Sequence, residues 1–497
     1  MQMVVCVLAL FVLSFSGAYK QPHYEGKRTT MVHLFEWPWP SIATECEQFL
    51  GPKGFGGVQI SPPNENRIVN GRPWWERYQP LSYLLHTRSG TEQQLIDMIT
   101  RCNRAGVRIY VDAVLNHMTG GGSDAQTGTG GSLAHYEKHQ YPAVPYGPGD
   151  FNGACNIIDY QAPQQVRNCR LLSLLDLNQS KPHVRQVLVN YMNRLIDMGV
   201  AGFRIDAAKH MWPQDLEAIY GQLHNLNTSH GFAPNSRPFI FQEVIDLGSE
   251  RITTSEYSPL GCVTEFRAAN ELGKLFRGRN ALKWLHNWGP DWSMLPSGDA
   301  VVFVDNHDNQ RGHGAGAGDV LTHKDGKPYE TALVFLLAHP YGLTRVMSSY
   351  AFNNSDQGPP ATSDGAIVAP RFLRNGQCDH LVGWICEHRW PLMARLIELR
   401  NIAGSSPLTH WWSQHDQQIA FARANAFVAI NMEKEKELNA KLQTGLPSGV
   451  YCDIIDGEKS DSGCSGRKLY VDAEGWLQLQ LPPGSISSVA THINAKL

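Results

Sequence analysis

Ala201-Gly202-Phe203-Arg204-Ile205-Asp206-Ala207-Ala208-Lys209-His210 is the stretch on which the fold turns. It reads as a short strand running into a loop. Alternate residues of a strand share a face, so Arg204 and Asp206 point one way and Phe203 and Ile205 the other. The apolar pair suits packing beneath helices. The charged pair then faces inward, where an ionised group is costly without a partner. An inward Asp beside an inward Arg at a strand end marks a candidate site; a buried structural ion pair is the plainer alternative.

Similar runs lie on either side. Met31 to Trp37, Gly54 to Pro62 and Arg108 to Leu115 precede it, with helical spacing over Ser41 to Leu50 and Gln93 to Ala105. The helical stretch Lys181 to Met198 leads into it. Pro238 to Glu243, Cys262 to Phe266, Val301 to Asp305 and Leu343 to Met347 follow. These are short continuous apolar runs, as expected of strands buried on both faces. Eight such strands with helices between most of them predict a closed parallel (β/α)8 barrel. The Gly-, Pro- and Tyr-rich interval 116–176 is too long for an ordinary loop and predicts a small domain inserted after the third strand. From about residue 406 to Leu497, short alternating runs separated by turn residues predict an antiparallel β-sandwich domain. The barrel then comprises 19–115 and 177–405.

Composition narrows the function. The 497 residues carry a net charge of −3, which gives no reason to propose nucleic acid or an anionic membrane as partner. Thirteen Trp and seventeen Tyr suit core packing, or stacking surfaces for the C–H faces of sugar rings. Residues 1–18 are apolar and end in Ser16-Gly17-Ala18, the pattern of a secretory signal peptide. No second such run appears, so a soluble, secreted, extracellular protein is expected. Of ten cysteines, Cys6 lies in the signal. The close pairs Cys155/Cys169, Cys378/Cys386 and Cys452/Cys464, with Cys46/Cys102 as a longer one, are candidate disulfides, leaving Cys262 as a buried free thiol. Asn178, Asn227 and Asn353 open possible glycosylation triplets.

Three carboxylates, Asp206, Glu243 and Asp308, end three barrel strands, where catalytic groups of such barrels sit. Asn306 and Asp308 repeat the spacing of Arg204 and Asp206, so both pairs are expected to face one interior. Acids gathered around a cleft suit glycoside hydrolysis: one attacks or stabilises the sugar cation and another protonates the leaving oxygen.

The segments Trp74-Trp75-Glu76-Arg77-Tyr78-Gln79-Pro80, Asp112 to His117, Gly202 to His210, Phe241-Gln242-Glu243-Val244, and Phe303 to Arg311 together resemble the signature regions of animal α-amylases, the chloride-dependent group of glycoside hydrolase family 13. The resemblance runs from about Thr29 to the end, including Cys386-Glu387-His388-Arg389-Trp390. It implies a TIM barrel and a retaining endo-hydrolase of α-1,4-glucan that uses calcium and chloride. Asp206 would be the nucleophile, Glu243 the general acid and then base, and Asp308 the transition-state stabiliser. A retaining pair requires carboxyl groups only ~5–5.5 Å apart. Glu243 must hold a proton near neutral pH, which burial and nearby negative charge favour.

The same resemblance implies a chloride site at Arg204, Asn306 and Arg345; the plainer alternative is that both arginines pair with barrel acids. It implies calcium ligands at Asn116, Arg167, Asp176 and His210, the second and fourth through backbone carbonyls, so that the ion pins the insertion beside the cleft. Trp74, Trp75 and Tyr78 match sugar-stacking platforms, and His117, Lys209, His307 and His313 match hydroxyl-binding groups. Gly312 to Gly316 resembles a mobile loop. Starch, glycogen and maltooligosaccharides would be the substrates of a monomer. Against better-known vertebrate relatives, one cysteine pair is missing, Asn64 to Arg72 is short and Asn353 to Arg371 diverges. These loop changes bear on substrate preference more than on the reaction. The alternatives are a relative preferring short oligosaccharides and a catalytically silent paralogue that binds glucan.

Overall fold

The computed structural model describes residues 17–315 and 318–497. The expected signal peptide, with Cys6, falls almost wholly outside the described residues, as does Gly316 of the glycine-rich loop. Eight parallel strands close a barrel in chain order: β1 (Thr30–Leu34), β2 (Gly57–Ile60), β3 (Arg108–Val114), β4 (Gly202–Asp206), β5 (Phe239–Gln242), β6 (Cys262–Thr264), β7 (Ala300–Val302) and β8 (Leu343–Ser348). Seven are buried at every residue, and β8 at all but its first, which explains their unbroken apolar runs.

Helices cover the barrel by burying one face each. The helix Glu92–Arg104 begins at a capping box formed by Thr91 and Gln94 and buries Leu95, Met98, Ile99 and Cys102. The disulfide Cys46–Cys102 ties it to the segment before β2. Gly202 is required where β4 meets β5: a Cβ there would stand 2.1 Å from the carbonyl oxygen of Phe239.

Two expected elements differ. The helix expected over Ser41 to Leu50 is an α-helix at Trp39–Glu45 that relaxes into a wider turn at Cys46–Leu50. The strand expected over Val301 to Asp305 stops at Val302. Asn306 and Asp308 therefore do not repeat the strand geometry of Arg204 and Asp206. They lie in a turn in which the Asn306 side-chain oxygen accepts the backbone N–H of Asp308 at 3.0 Å and of Asn309 at 2.7 Å.

Between β3 and β4 the chain forms a hairpin (Ala125–Thr127 with Leu133–His135) and a short helix, Pro163–Asn168, beside the disulfide Cys155–Cys169. After the last barrel helix, Pro391–Ala403, two four-stranded antiparallel sheets follow. The first comprises Thr409–Gln414, Gln418–Arg423, Ala426–Asn431 and Ser487–His492, and packs on barrel helices. The second comprises Leu438–Gln443, Trp476–Leu481, Lys468–Val471 and Gly449–Cys452. The disulfides Cys378–Cys386 and Cys452–Cys464 are present, and Cys262 is a buried free thiol. Among the described residues no helix is long and apolar enough to cross a membrane.

Candidate active site

Arg204 is the hub. It is fully buried on β4, directly beside Asp112 of β3 in the strand register. Its Nη1 lies 2.6 Å from Asp112 Oδ1 and 3.0 Å from Asp206 Oδ1, and its Nη2 lies 2.6 Å from Glu243 Oε1. The last contact is out of line for a hydrogen bond, so it counts as a charge contact. Burial alone would lower the Arg204 pKa; the three carboxylates hold it well above the usual range. The other oxygen of Glu243 accepts the backbone N–H of Ala207 at 2.9 Å. Ala207 is left-handed, with φ 48°, and turns the chain sharply just past Asp206.

Asp112 was not singled out from the sequence, although it lies inside a quoted segment. Its signal was available: period-two alternation places it inward on β3 at the level of Arg204. It accepts from Tyr78 Oη at 2.9 Å and from Gln59 Nε2 at 3.4 Å. Gln59 in turn accepts from Arg345 Nη1 at 2.9 Å. The two arginines thus meet through an Arg345–Gln59–Asp112–Arg204 chain. Only half of the plain ion-pair alternative holds, because Arg204 pairs with acids and Arg345 pairs with an amide. Burial and the charge of Arg204 bring Arg345 down to about 10.

Arg345 Nη2 and Arg204 Nη2 are both buried donors without a hydrogen-bond partner. Asn306 spends its side-chain oxygen on its own turn, which leaves its amino end as a donor. Two buried, unpartnered guanidinium nitrogens carrying like charge are the chemistry of an anion site.

Asp206 and Glu243 are both nearly buried; Asp308 is about a quarter open, at 23% of its side chain. Burial holds Asp206 well above the ordinary carboxylate range, with Arg204 opposing and Glu243 adding to the rise. Burial, then Glu243, pushes Asp308 up to about 7. The arrangement is four acids, Asp112, Asp206, Glu243 and Asp308, against two guanidiniums. Such a cluster retains a proton near neutral pH.

An aromatic wall stands over these acids. His307 stacks on Tyr78 with ring centres 5.1 Å apart, and Trp74 meets His307 edge-on at 5.5 Å. The Trp74 indole N–H donates to the Ser355 carbonyl at 2.8 Å, and Trp75 is half-buried beside the core. His117 donates its Nε2–H to the Tyr78 carbonyl at 2.9 Å, and burial lowers it to about 4. Lys209 binds the Ile245 carbonyl at 2.7 Å and pairs with Glu250. His313 is partly exposed, 4.0 Å from Asp356 and next to Trp74. Arg311, also not foreseen, lies against Phe352, Tyr350, Phe35 and Trp74 at 4.0 to 5.9 Å and supports the wall from behind.

The four residues expected to hold calcium fall into two touching pairs. His117 bridges to Asp176, which sets Asn116 beside that carboxylate. The Asn116 side-chain oxygen is buried without a partner, and burial raises Asp176 to about 8 despite the Asn152 amide at 2.8 Å. On the other side, His210 Nδ1 sits 2.9 Å from the Val166 carbonyl, next to Arg167. The Arg167 guanidinium is spent on Tyr257 and Glu256, so its side chain is no ligand. No cluster of three His, Cys, Asp or Glu suited to a metal occurs among the described residues. A hard cation taking one carboxylate, one amide and backbone carbonyls fits this donor set.

Comparison with known proteins gives the same picture. Residues 78–258 match the family model "Alpha amylase, catalytic domain" and 411–491 match "Alpha amylase, C-terminal all-beta domain". The chain is 52% identical over 495 residues to an α-amylase of Tribolium castaneum, covering 99% of each. It is 50% identical over 499 residues to an α-amylase-related protein of Drosophila willistoni, covering 100% of each. The crystal structure of wild-type α-amylase I from Eisenia fetida superposes with a TM-score of 0.89 at 44% identity, covering 95% of this chain and 98% of that one. A variant of that enzyme was solved with maltohexaose. The barrel, its C-terminal β-domain and full-length identity of this size make the chain a member of the α-amylase family.

Proposed function

We propose that this chain is a secreted, monomeric α-amylase that hydrolyses internal α-1,4 bonds of starch, glycogen and maltooligosaccharides with retention of configuration. The observation that carries this reading is the attachment of Asp206 and Glu243 to adjacent nitrogens of one guanidinium. Carboxylates anchored on neighbouring nitrogens of one guanidinium lie side by side, the arrangement a retaining pair needs, whose carboxyls stand ~5–5.5 Å apart with no room for a water between them.

Glu243 gives its proton to the leaving glycosidic oxygen while Asp206 Oδ attacks the anomeric carbon, forming a glycosyl ester and releasing the shortened chain. Glu243, now a carboxylate, takes a proton from water, whose oxygen attacks the same carbon and frees Asp206. Asp308 holds sugar hydroxyls and favours the distorted ring. Asp112 is saturated by Arg204, Tyr78 and Gln59 and serves to orient Arg204. Trp74, Trp75 and Tyr78 offer stacking faces; His117, Lys209, His307 and His313 bind hydroxyls.

Arg204, Asn306 and Arg345 are the residues that would hold chloride, whose negative charge would offset that of the Arg204 guanidinium beside Glu243. Asn116, Asp176 and the carbonyls of Arg167 and His210 would hold calcium in a structural role. Four disulfides accord with secretion into an oxidising compartment.

The test is release of reducing ends from soluble starch. Wild type should exceed an Asp206→Asn control by roughly 10³-fold or more, and no excess would favour a silent glucan binder. Activity of dialysed enzyme should rise on adding chloride, and Arg345→Gln should flatten that response; a wild type indifferent to chloride would refute the anion site.

A further inference from the structure

We propose that the outer face of the second C-terminal sheet is a docking surface for α-glucan chains, separate from the catalytic cleft. The inference rests on the reading of glucan as the substrate. It begins from burial alternation. Lys468–Val471 and Trp476–Leu481 bury every second residue, so Leu469, Val471, Leu477, Leu479 and Leu481 face the core between the two sheets. Their neighbours face out: Lys468 and Tyr470 on one strand, and Trp476, Gln478 and Gln480 on the next.

Strand register converts this list into a tile. Tyr470 lies one step before Val471, which pairs with Leu477, so it stands opposite Gln478. Gln478 pairs on its other side with Lys441, Gln480 with Asn439, and Trp476 with Gln443. Tyr470 and Trp476 are therefore diagonal neighbours, about 7–8 Å apart along the backbone. Tyr470 is 66% exposed and Trp476 38% exposed.

The chemistry around the rings selects the occupant. Lys441 is neutralised by Asp472 at 3.0 Å and lies over the Trp476 ring at 5.7 Å. Two aromatic rings are thus framed by the amides of Asn439, Gln478 and Gln480, with Gln443 spent on its own loop and Lys468 the one outward charge on these strands without an acid partner. Gln478 donates to Asn439 at 2.8 Å, which orients both amides and leaves the Gln478 oxygen and the Asn439 amino group for a ligand. A polyanion finds little net charge here, and a protein partner finds the apolar area broken by amides. A neutral chain with apolar ring faces and hydroxyl edges matches both parts.

The first sheet packs on the barrel helices, and the second lies beyond it, so the tile looks away from the barrel. The glucose units held there are not in the cleft, while the rest of the polymer stays free to reach it. The surface would keep a polymer on the enzyme between cuts, which raises the effective concentration of scissile bonds at the cleft.

The test is affinity electrophoresis through gels containing amylopectin, with all proteins in the Asp206→Asn background so that the polymer survives. Trp476→Ala and Tyr470→Ala should each weaken retardation roughly threefold to tenfold, and the double variant should weaken it further. In the active background the same variants should keep wild-type turnover of maltohexaose and lose activity on granular starch. Unchanged retardation and granule activity, in variants whose melting temperature matches wild type, would overturn the proposal. Loss of a dimer in sedimentation, with retardation intact, would assign the face to a second copy and also overturn it. Absence of any starch hydrolysis by wild type would count against the substrate reading, an outcome the gel experiment does not share.

Discussion

Arg204 contacts three carboxylates at once, and that concentration of charge is legible only in part from the sequence. Alternation along β4 shows that Arg204 and Asp206 share a face. It does not show that the neighbouring strand brings Asp112 to the same level, because register between strands far apart in sequence is set by barrel closure. Arg311 was hidden for a different reason: its role is to lie under four rings from three separate segments, and no local pattern encodes that. Behind it lies Glu387, whose carboxylate accepts the Ser349 N–H at 2.6 Å while its other oxygen, 3.6 Å from His323, has no aligned partner. Burial raises Glu387 to about 7, with the Ser349 bond opposing. An acid raised in the native state keeps a proton that the unfolded chain has lost, so its contribution to stability falls as pH rises from about 4.5 to 7. Glu387→Gln has no proton to lose. Urea unfolding should show its stability relative to wild type increasing by about 3 kcal/mol between pH 5 and pH 8; a difference that does not change with pH would contradict this.

Among the elements, the strands were the clearest to foresee and their ends the least clear. Strand β7 is a case in point: Val301 to Asp305 is apolar and β-branched enough to continue, yet the Asn306 cap draws the chain into a turn after Val302. The turn is what fixes the backbone at Asp308. The insertion shows the opposite balance. Length and composition point to it, whereas a cation site built partly from backbone oxygens would leave no side-chain pattern to read. The Asn116 amide oxygen is buried without a partner next to the His117–Asp176 bridge, and Pro163–Asn168 contacts the turn at Ala208–His210. An ion bound only by the native form stabilises it, by about 2.7 kcal/mol at a hundredfold excess over Kd. A chelator should therefore lower the melting temperature of wild type, and Asn116→Ala should melt lower and respond less. A melt that chelator leaves in place would count against a calcium site here.

Across the whole molecule the barrel and the C-terminal domain are joined by buried backbone capture. Arg423 donates to the carbonyls of Ala338 and Ser406 at 2.9 Å, so the first sheet closes the ends of two barrel helices. The barrel and the C-terminal β-domain were readable from changes in periodicity, since each architecture has its own repeat. Which residues weld the parts together was not, because Arg423 sits in a strand that reads like its neighbours. The central claim concerns one bond-breaking geometry: Asp206 and Glu243 bracket the anomeric carbon from positions on a single guanidinium. Proton NMR of the first products from maltohexaose, recorded before mutarotation, tests it directly. The account predicts new reducing ends in the α configuration; new ends that appear first as the β anomer would contradict it.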